Sequence, residues 1–139
     1  MKITKKIIAL LLIICFVFCM AGCADEFNGF NPVGLRVVDC IRGTQYETNI
    51  DDKDMAQQLW EKFKSLDIDT ETPSEMGTSY LYMCFYDEDQ STLGIFTIYD
   101  NGACCLGEDF QTFYTVNDGM NAYMELCDIY TSYQEEKTE

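Results

Sequence analysis

Tyr80–Tyr86, reading YLYMCFY, is the stretch that decides how this chain folds. Successive side chains of a strand point to opposite faces, so Leu81, Met83 and Phe85 go one way and Tyr80, Tyr82, Cys84 and Tyr86 go the other. One face is suited to a core, and the other carries rings with polar tips. Working downstream, residues 87–94 close a loop and 95–99 return as the next strand. Asn101-Gly102 then reads as a two-residue type I′ hairpin turn, because both residue types tolerate positive φ. That register pairs Tyr99 with Cys104 and Ile98 with Cys105. It puts Cys105 on the face of Phe96 and Ile98, and Cys104 with Thr97 and Tyr99. Residues 110–116 (FQTFYTV) supply a further strand.

Upstream, residues 35–41 (LRVVDCI) and 45–50 form a hairpin about a turn at Arg42-Gly43-Thr44. Asp51 is expected to cap a helix over 52–66, with Asp52 and Asp54 in its first turn, where the helix dipole favours anions. Met55, Ala56, Leu59, Trp60, Phe63 and Leu66 fall on one arc of that helix, and Gln57, Gln58, Glu61, Lys62 and Lys64 on the other. Residues 67–79 are polar, contain Pro73 and Gly77, and read as a long loop. Asp67, Asp69 and Glu71 alternate there as in a calcium loop. An EF-hand, however, needs Gly at its sixth position and an acidic residue at its twelfth, where this chain has Thr72 and Thr78. The EF-hand reading fails, and only an irregular cation site is left.

Asn117 or Asp118 caps a second helix expected to run to about Tyr133. Its polar strip is narrow (Asn121, Glu125, Asp128, Ser132). A helix so apolar on its remaining faces is either well buried or partly an interface. Residues 134–139 read as a frayed acidic tail. The order β-β-α-β-β-β-β-α specifies one α+β domain over residues 35–133. It consists of an antiparallel sheet of about five or six strands with two helices packed on one face.

Composition narrows the chemistry. The 139 residues include 24 acidic and 9 basic side chains and no histidine, for a formal charge of −15. That balance argues against a nucleic-acid partner, which needs a basic surface. The missing histidine excludes Ser-His and Cys-His nucleophile pairs and imidazole-ligated zinc. No Gly-rich phosphate loop follows a strand. Carboxylates are so abundant that no catalytic pair is singled out. No catalytic, cofactor-binding or metal-ligating residue is assigned, and no cofactor is implied.

At the N-terminus, Lys2, Lys5 and Lys6 precede an uninterrupted apolar run from Ile7 to Met20. Its length suits a secretory h-region of about 7–15 residues, short of the roughly 20 that span a membrane. The run meets Met20-Ala21-Gly22-Cys23, which resembles the lipobox of bacterial lipoproteins, with Met20 where that family usually has Leu or another branched aliphatic. The resemblance covers residues 1–23 only. It implies that residues 1–22 are a signal peptide that is removed and that Cys23 becomes a diacylglycerol-modified N-terminus. It further implies that residues 23–34 tether the domain to the extracytoplasmic face of the cell membrane. Two acyl chains, at about 0.8 kcal/mol per buried CH₂, would hold it there stably.

Processing would leave six basic residues (Arg36, Arg42, Lys53, Lys62, Lys64, Lys137) against 24 acidic ones, a charge of −18. Such a charge serves solubility, or it draws a cationic partner or divalent metal. Cys15 and Cys19 would leave with the signal. Cys40, Cys84, Cys104, Cys105 and Cys127 then form an odd set, so at least one is a free thiol or pairs with another chain. Most read as small buried hydrophobes. Adjacent Cys104-Cys105 lacks the two-residue gap that lets both sulfurs reach one zinc.

The expected function is therefore binding, with the membrane reached through Cys23 and a protein or peptide taken on a face formed by Tyr80, Tyr82, Tyr86 and Tyr99. Tyrosine offers large contact area, a polar tip and little entropy loss. The same residues also suit an ordinary half-exposed sheet through their β-propensity. The alternative from another class is a cell-envelope hydrolase, or an accessory subunit of an envelope enzyme or transporter. The sequence leaves the oligomeric state open.

Overall fold

The structure, a computed structural model, describes residues 31–108 and 110–139. Cys23 and the apolar run before it lie outside the described residues. Seven strands and two helices follow in the order β1 (Gly34–Ile41), β2 (Thr44–Ile50), α1 (Lys53–Lys64), β3 (Ile68–Pro73), β4 (Tyr80–Tyr86), β5 (Thr92–Tyr99), β6 (Ala103–Leu106), β7 (Tyr114–Val116) and α2 (Gly119–Thr138). All seven strands join one antiparallel sheet in the order β2-β1-β4-β5-β6-β7-β3, so the class is α+β.

The YLYMCFY alternation sets the layers. Leu81, Met83 and Phe85 are fully buried, and they share one core with Leu35, Val37, Phe96 and Ile98 from neighbouring strands. Met55, Ala56, Leu59 and Trp60 of α1 and Ala122, Leu126 and Tyr130 of α2 close that core from the same side. Trp60 stands at its centre, 4.9 Å from the Phe85 ring and 5.6 Å from Phe63. The two helices are tied to each other by the Lys62–Glu125 ion pair.

Several boundaries differ from the sequence reading. The α1 N-cap is Asp52, whose Oδ1 accepts from Met55 N–H at 3.1 Å. Asp51 is diverted to the Tyr86 hydroxyl, which donates to it at 2.5 Å. Helix α1 ends at Lys64, and Ser65 caps it. Pro32 is buried and Val33 N–H donates to Tyr86 O, so the end of the expected tether already belongs to the domain. Within the expected loop 67–79 lies β3, paired with β7 and broken by an irregularity between Asp69 and Pro73. Of residues 110–116, only Tyr114–Val116 form a strand. Helix α2 continues past Tyr133 to Thr138.

The largest correction concerns register. Ile98 pairs with Cys104 and Thr97 with Cys105, one residue away from the type I′ expectation. A type I′ turn needs positive φ at both central residues, and here only Gly102 has it, at +85°. The connection therefore takes three residues, Asp100 to Gly102, with Gly102 N–H donating to Tyr99 O and Asn101 Oδ1 accepting from Ala103 N–H. A one-residue shift turns every side chain to the other face. Cys104 thus joins the helix-side core, and Cys105 lies with Tyr99 and Ala103 on the opposite side.

Gly102 also lets α2 start against the sheet. A Cβ on Gly119 would stand 2.6 Å from Gly102 Cα and 2.8 Å from its carbonyl oxygen, so backbone meets backbone. Gly119→Ala is expected to destabilise the domain by about 1–3 kcal/mol, the usual cost of overpacking. A lowered urea midpoint with an unchanged slope would register it.

Candidate functional site

The second face of the sheet carries the four tyrosines, but on unequal terms. Tyr80, Tyr82 and Tyr86 are half-buried, whereas Tyr99 is only 3% exposed. The chain between β6 and β7 accounts for the difference. Phe113 from that connection meets the Tyr99 ring edge-on at 5.7 Å, while Tyr80 packs on it at 5.5 Å. Tyr99, Ala103 and Cys105 make a small second core with Tyr80 and Phe113 around them. Tyr99 is therefore a packing residue of this face and not part of its open surface.

Tyr86 is also committed structurally. Its ring lies where a side chain on Gly34 would go, and its hydroxyl reaches Asp51 ahead of α1. Burial, then the bond to Asp51, pushes its phenol up to about 12. Tyr80 accepts a 2.6 Å bond from Gln45 Nε2, which ties β4 to β2 across β1. Burial pushes the Tyr80 phenol above its ordinary value.

Tyr82 is the ring left to face outward. The Arg36 guanidinium carbon stands 5.5 Å from its centroid, and Phe110, 48% exposed, is roughly parallel to it at 6.5 Å. Arg36 also approaches Glu47 at 3.8 Å, with both side chains about half exposed, a pair that contributes little stability. Cys84, half-buried, sits next along β4 with Sγ 3.9 Å from Thr92 Oγ1. Burial raises the Tyr82 phenol, and Arg36 acts against that shift. The surface is thus a ring flanked by a cation and a second ring on a stiff sheet. It can stack on a planar or aromatic group and hydrogen-bond through the phenol and guanidinium. Strand alternation alone would have placed Arg36 here, since Leu35 and Val37 face the core. Phe110 carries no such signal because it lies in an irregular connection.

Comparison with protein-family models, curated proteins and solved structures finds no match.

The described residues include no group of three His, Cys, Asp or Glu side chains placed to hold a metal ion. Two of the three alternating carboxylates, Asp67 and Asp69, are taken up by hydrogen bonds within the chain. Asp69 accepts from Glu71 N–H, Thr72 N–H and Thr72 Oγ1, and Asp67 accepts from Asn117 Nδ2. None of the five described cysteines is in a disulfide, and Cys40, Cys104 and Cys105 are buried. A cavity of about 460 Å³ opens between the start of α1 and the end of α2, lined by Asp52, Asp54, Gln58, Tyr133, Glu136 and Lys137 among others. It is separate from the tyrosines, and its Asp52 is occupied as the α1 cap, so the flat aromatic surface is the stronger candidate.

Asp100 braces this face from below, accepting from Thr78 N–H at 3.0 Å and Thr78 Oγ1 at 2.7 Å. Burial alone would raise its pKa, but these bonds outweigh burial and the net shift is downward. A carboxyl with a depressed folded pKa adds stability above its unfolded value of 3.8, and that stability is lost as pH falls through the folded value. Asp100→Asn should therefore flatten the acid limb of a stability-versus-pH curve below about pH 4 and leave the limb near neutrality unchanged in slope. Thiol chemistry gives a second check. Burial pushes Cys104 up to about 12 and Cys127 up to about 11. Iodoacetamide at pH 8 should label Cys84 first in the native protein and reach Cys104 only in urea, as peptide mapping would show.

Proposed function

We propose that this chain is a lipid-anchored, extracytoplasmic bacterial lipoprotein whose α+β domain is a binding module. In this reading it takes a protein or peptide on the sheet face around Tyr82. The observation that supports the binding reading is the uncovered second face, where Tyr82, Arg36 and Phe110 stand together on a rigid sheet. Aromatic and arginine side chains at the centre of a patch are the types that dominate recognition energy. The anchor reading rests on Lys2, Lys5, Lys6, the apolar run and Ala21-Gly22-Cys23. A short tether would hold the binding face close to the membrane while the acidic surface keeps the domain in solution.

The unequal burial of the tyrosines decides the experiment. Tyr99→Ala would hollow out the second core and cost about 3 kcal/mol or more, so loss of binding in that variant would not be informative. Tyr82→Ala combined with Phe110→Ala removes exposed ring area instead and should leave the melting curve near that of the parent. Cross-linking on intact cells, followed by recovery of the chain, should capture an envelope protein with the parent and lose it with the double variant. Capture that survives the double variant overturns the assignment of this face. For the anchor, labelled palmitate should enter the parent chain and not Cys23→Ala. Equal labelling of both would refute lipidation at that position.

A further inference from the structure

The helix side of the sheet is also incompletely covered, at the margin formed by β1 and β2. Asp39 pairs with Tyr46 across these strands, and Ile41 follows two residues later on the same face. Tyr46 is 57% exposed and Ile41 51%. Beside them α2 reaches β2, where the Tyr130 hydroxyl meets Thr48 Oγ1 at 2.9 Å. Its Glu125 turns toward α1, so the flank carrying Tyr123 and Cys127 looks the other way. Both are half-buried. The result is a strip of Ile41, Tyr46, Tyr123 and Cys127 bounded on its far side by β2, an edge strand of the sheet. Edge strands present unpaired backbone N–H and C=O groups, and natural ones are usually blunted with lysine, proline or a bulge. Strand β2 (TQYETNI) has none of these and pairs with β1 in unbroken register.

One charge lies inside this strip. Asp39 is half-buried, and among the described residues its carboxylate has no hydrogen bond and no ion pair. It is close enough to Tyr123 and Cys127 for its charge to raise both groups. Asp100 and Asp128 add to the negative field there. Arg42, in the β1–β2 turn, makes no ion pair among the described residues. Burial without a partner raises Asp39 above its ordinary value, so its charge costs stability at neutral pH.

We propose that the strip between the β2 edge and the outer flank of α2 docks an extended, cationic segment of a partner protein. Its backbone would continue the sheet at β2, its apolar side chains would lie on Tyr46 and Ile41, and one lysine or arginine would pair with Asp39. Charge selects this occupant. A second copy of the chain would carry the same acidic excess, and antiparallel pairing of β2 about its middle residue would set Glu47 against Glu47, which is destabilising. The chain's own residues 24–30 include Asp25 and Glu26 and no cation, so they cannot neutralise Asp39. A basic segment with alternating apolar residues answers all three features at once: the open edge, the exposed Ile41 and Tyr46, and the lone carboxylate.

The test uses the purified full chain and a fluorescent nonapeptide of alternating lysine and leucine, read by anisotropy. Binding should saturate, weaken at least tenfold in Asp39→Asn and in Tyr46→Lys, and slow amide exchange along β2. A glutamate-leucine peptide and an oligolysine of equal charge should bind at least tenfold more weakly than the lysine-leucine peptide. Asp39→Asn should melt no lower than the parent, which separates loss of binding from loss of fold. Equal binding by Asp39→Asn, or by oligolysine, overturns the proposal in favour of bulk charge attraction. Concentration-dependent dimerisation in sedimentation that Tyr46→Lys abolishes would overturn it in favour of a second copy.

Discussion

Two helices cannot cover seven strands. At about 4.8 Å per strand the sheet is about 29 Å across, and two packed helices shield about 20 Å of one face. The candidate surfaces of this domain follow from that shortfall. The aromatic centre of Trp60, Phe63, Phe85 and Phe96 fixes where the helices sit. What they leave bare is one margin at β1 and β2, with Tyr46 and Ile41, and the whole opposite face. The chain deals with these remainders differently. Half of the opposite face is sealed by the connection between β6 and β7, which drops Phe113 onto Tyr99, and the other half stays open at Tyr82.

Where side chains alternate strongly, the fold could be read from sequence. The β4 strand and the apolar arc of α1 each announce which side is buried, because burial is what their spacing encodes. Strand β3 gives no such signal. It is an edge strand with most residues exposed, so selection for apolar alternation is absent and its polar residues look like loop. The β5–β6 register was misplaced for a different reason. Asn-Gly is compatible with two connections of different length, and the choice is made at a distance. Gly102 must present a bare backbone to Gly119 so that α2 can start there, and no local preference reveals that requirement.

The candidate site was legible to the same depth. Alternation placed the tyrosines on one face, but it could not say which would be roofed over. Phe110 and Phe113 lie in an irregular connection where hydrophobic periodicity has no meaning, yet they decide the matter by covering Tyr99 and flanking Tyr82. A further consequence is that the phenols differ chemically. Burial pushes Tyr99 up to about 12, as it does Tyr86, so neither ionises near neutral pH, and their role on this face is packing and hydrogen bonding.

Beside the open β2 edge the acidic excess bears on more than solubility. A regular edge strand carrying exposed Tyr46 beside exposed Ile41 is the arrangement that invites sheets of neighbouring molecules to join. Proline or lysine within β2 would block such joining, but would also block any partner that docks by strand addition. Charge spread over the whole domain achieves the first without the second. With 24 acidic and 9 basic residues in the chain, copies repel one another before their edges meet, whereas a cationic strand is drawn in. Screening limits that repulsion to about 8 Å at physiological salt, which is still enough to act at the approach to a backbone hydrogen bond. The bare edge and the negative charge are therefore two halves of one arrangement, in which the sign of the charge selects what may complete the sheet.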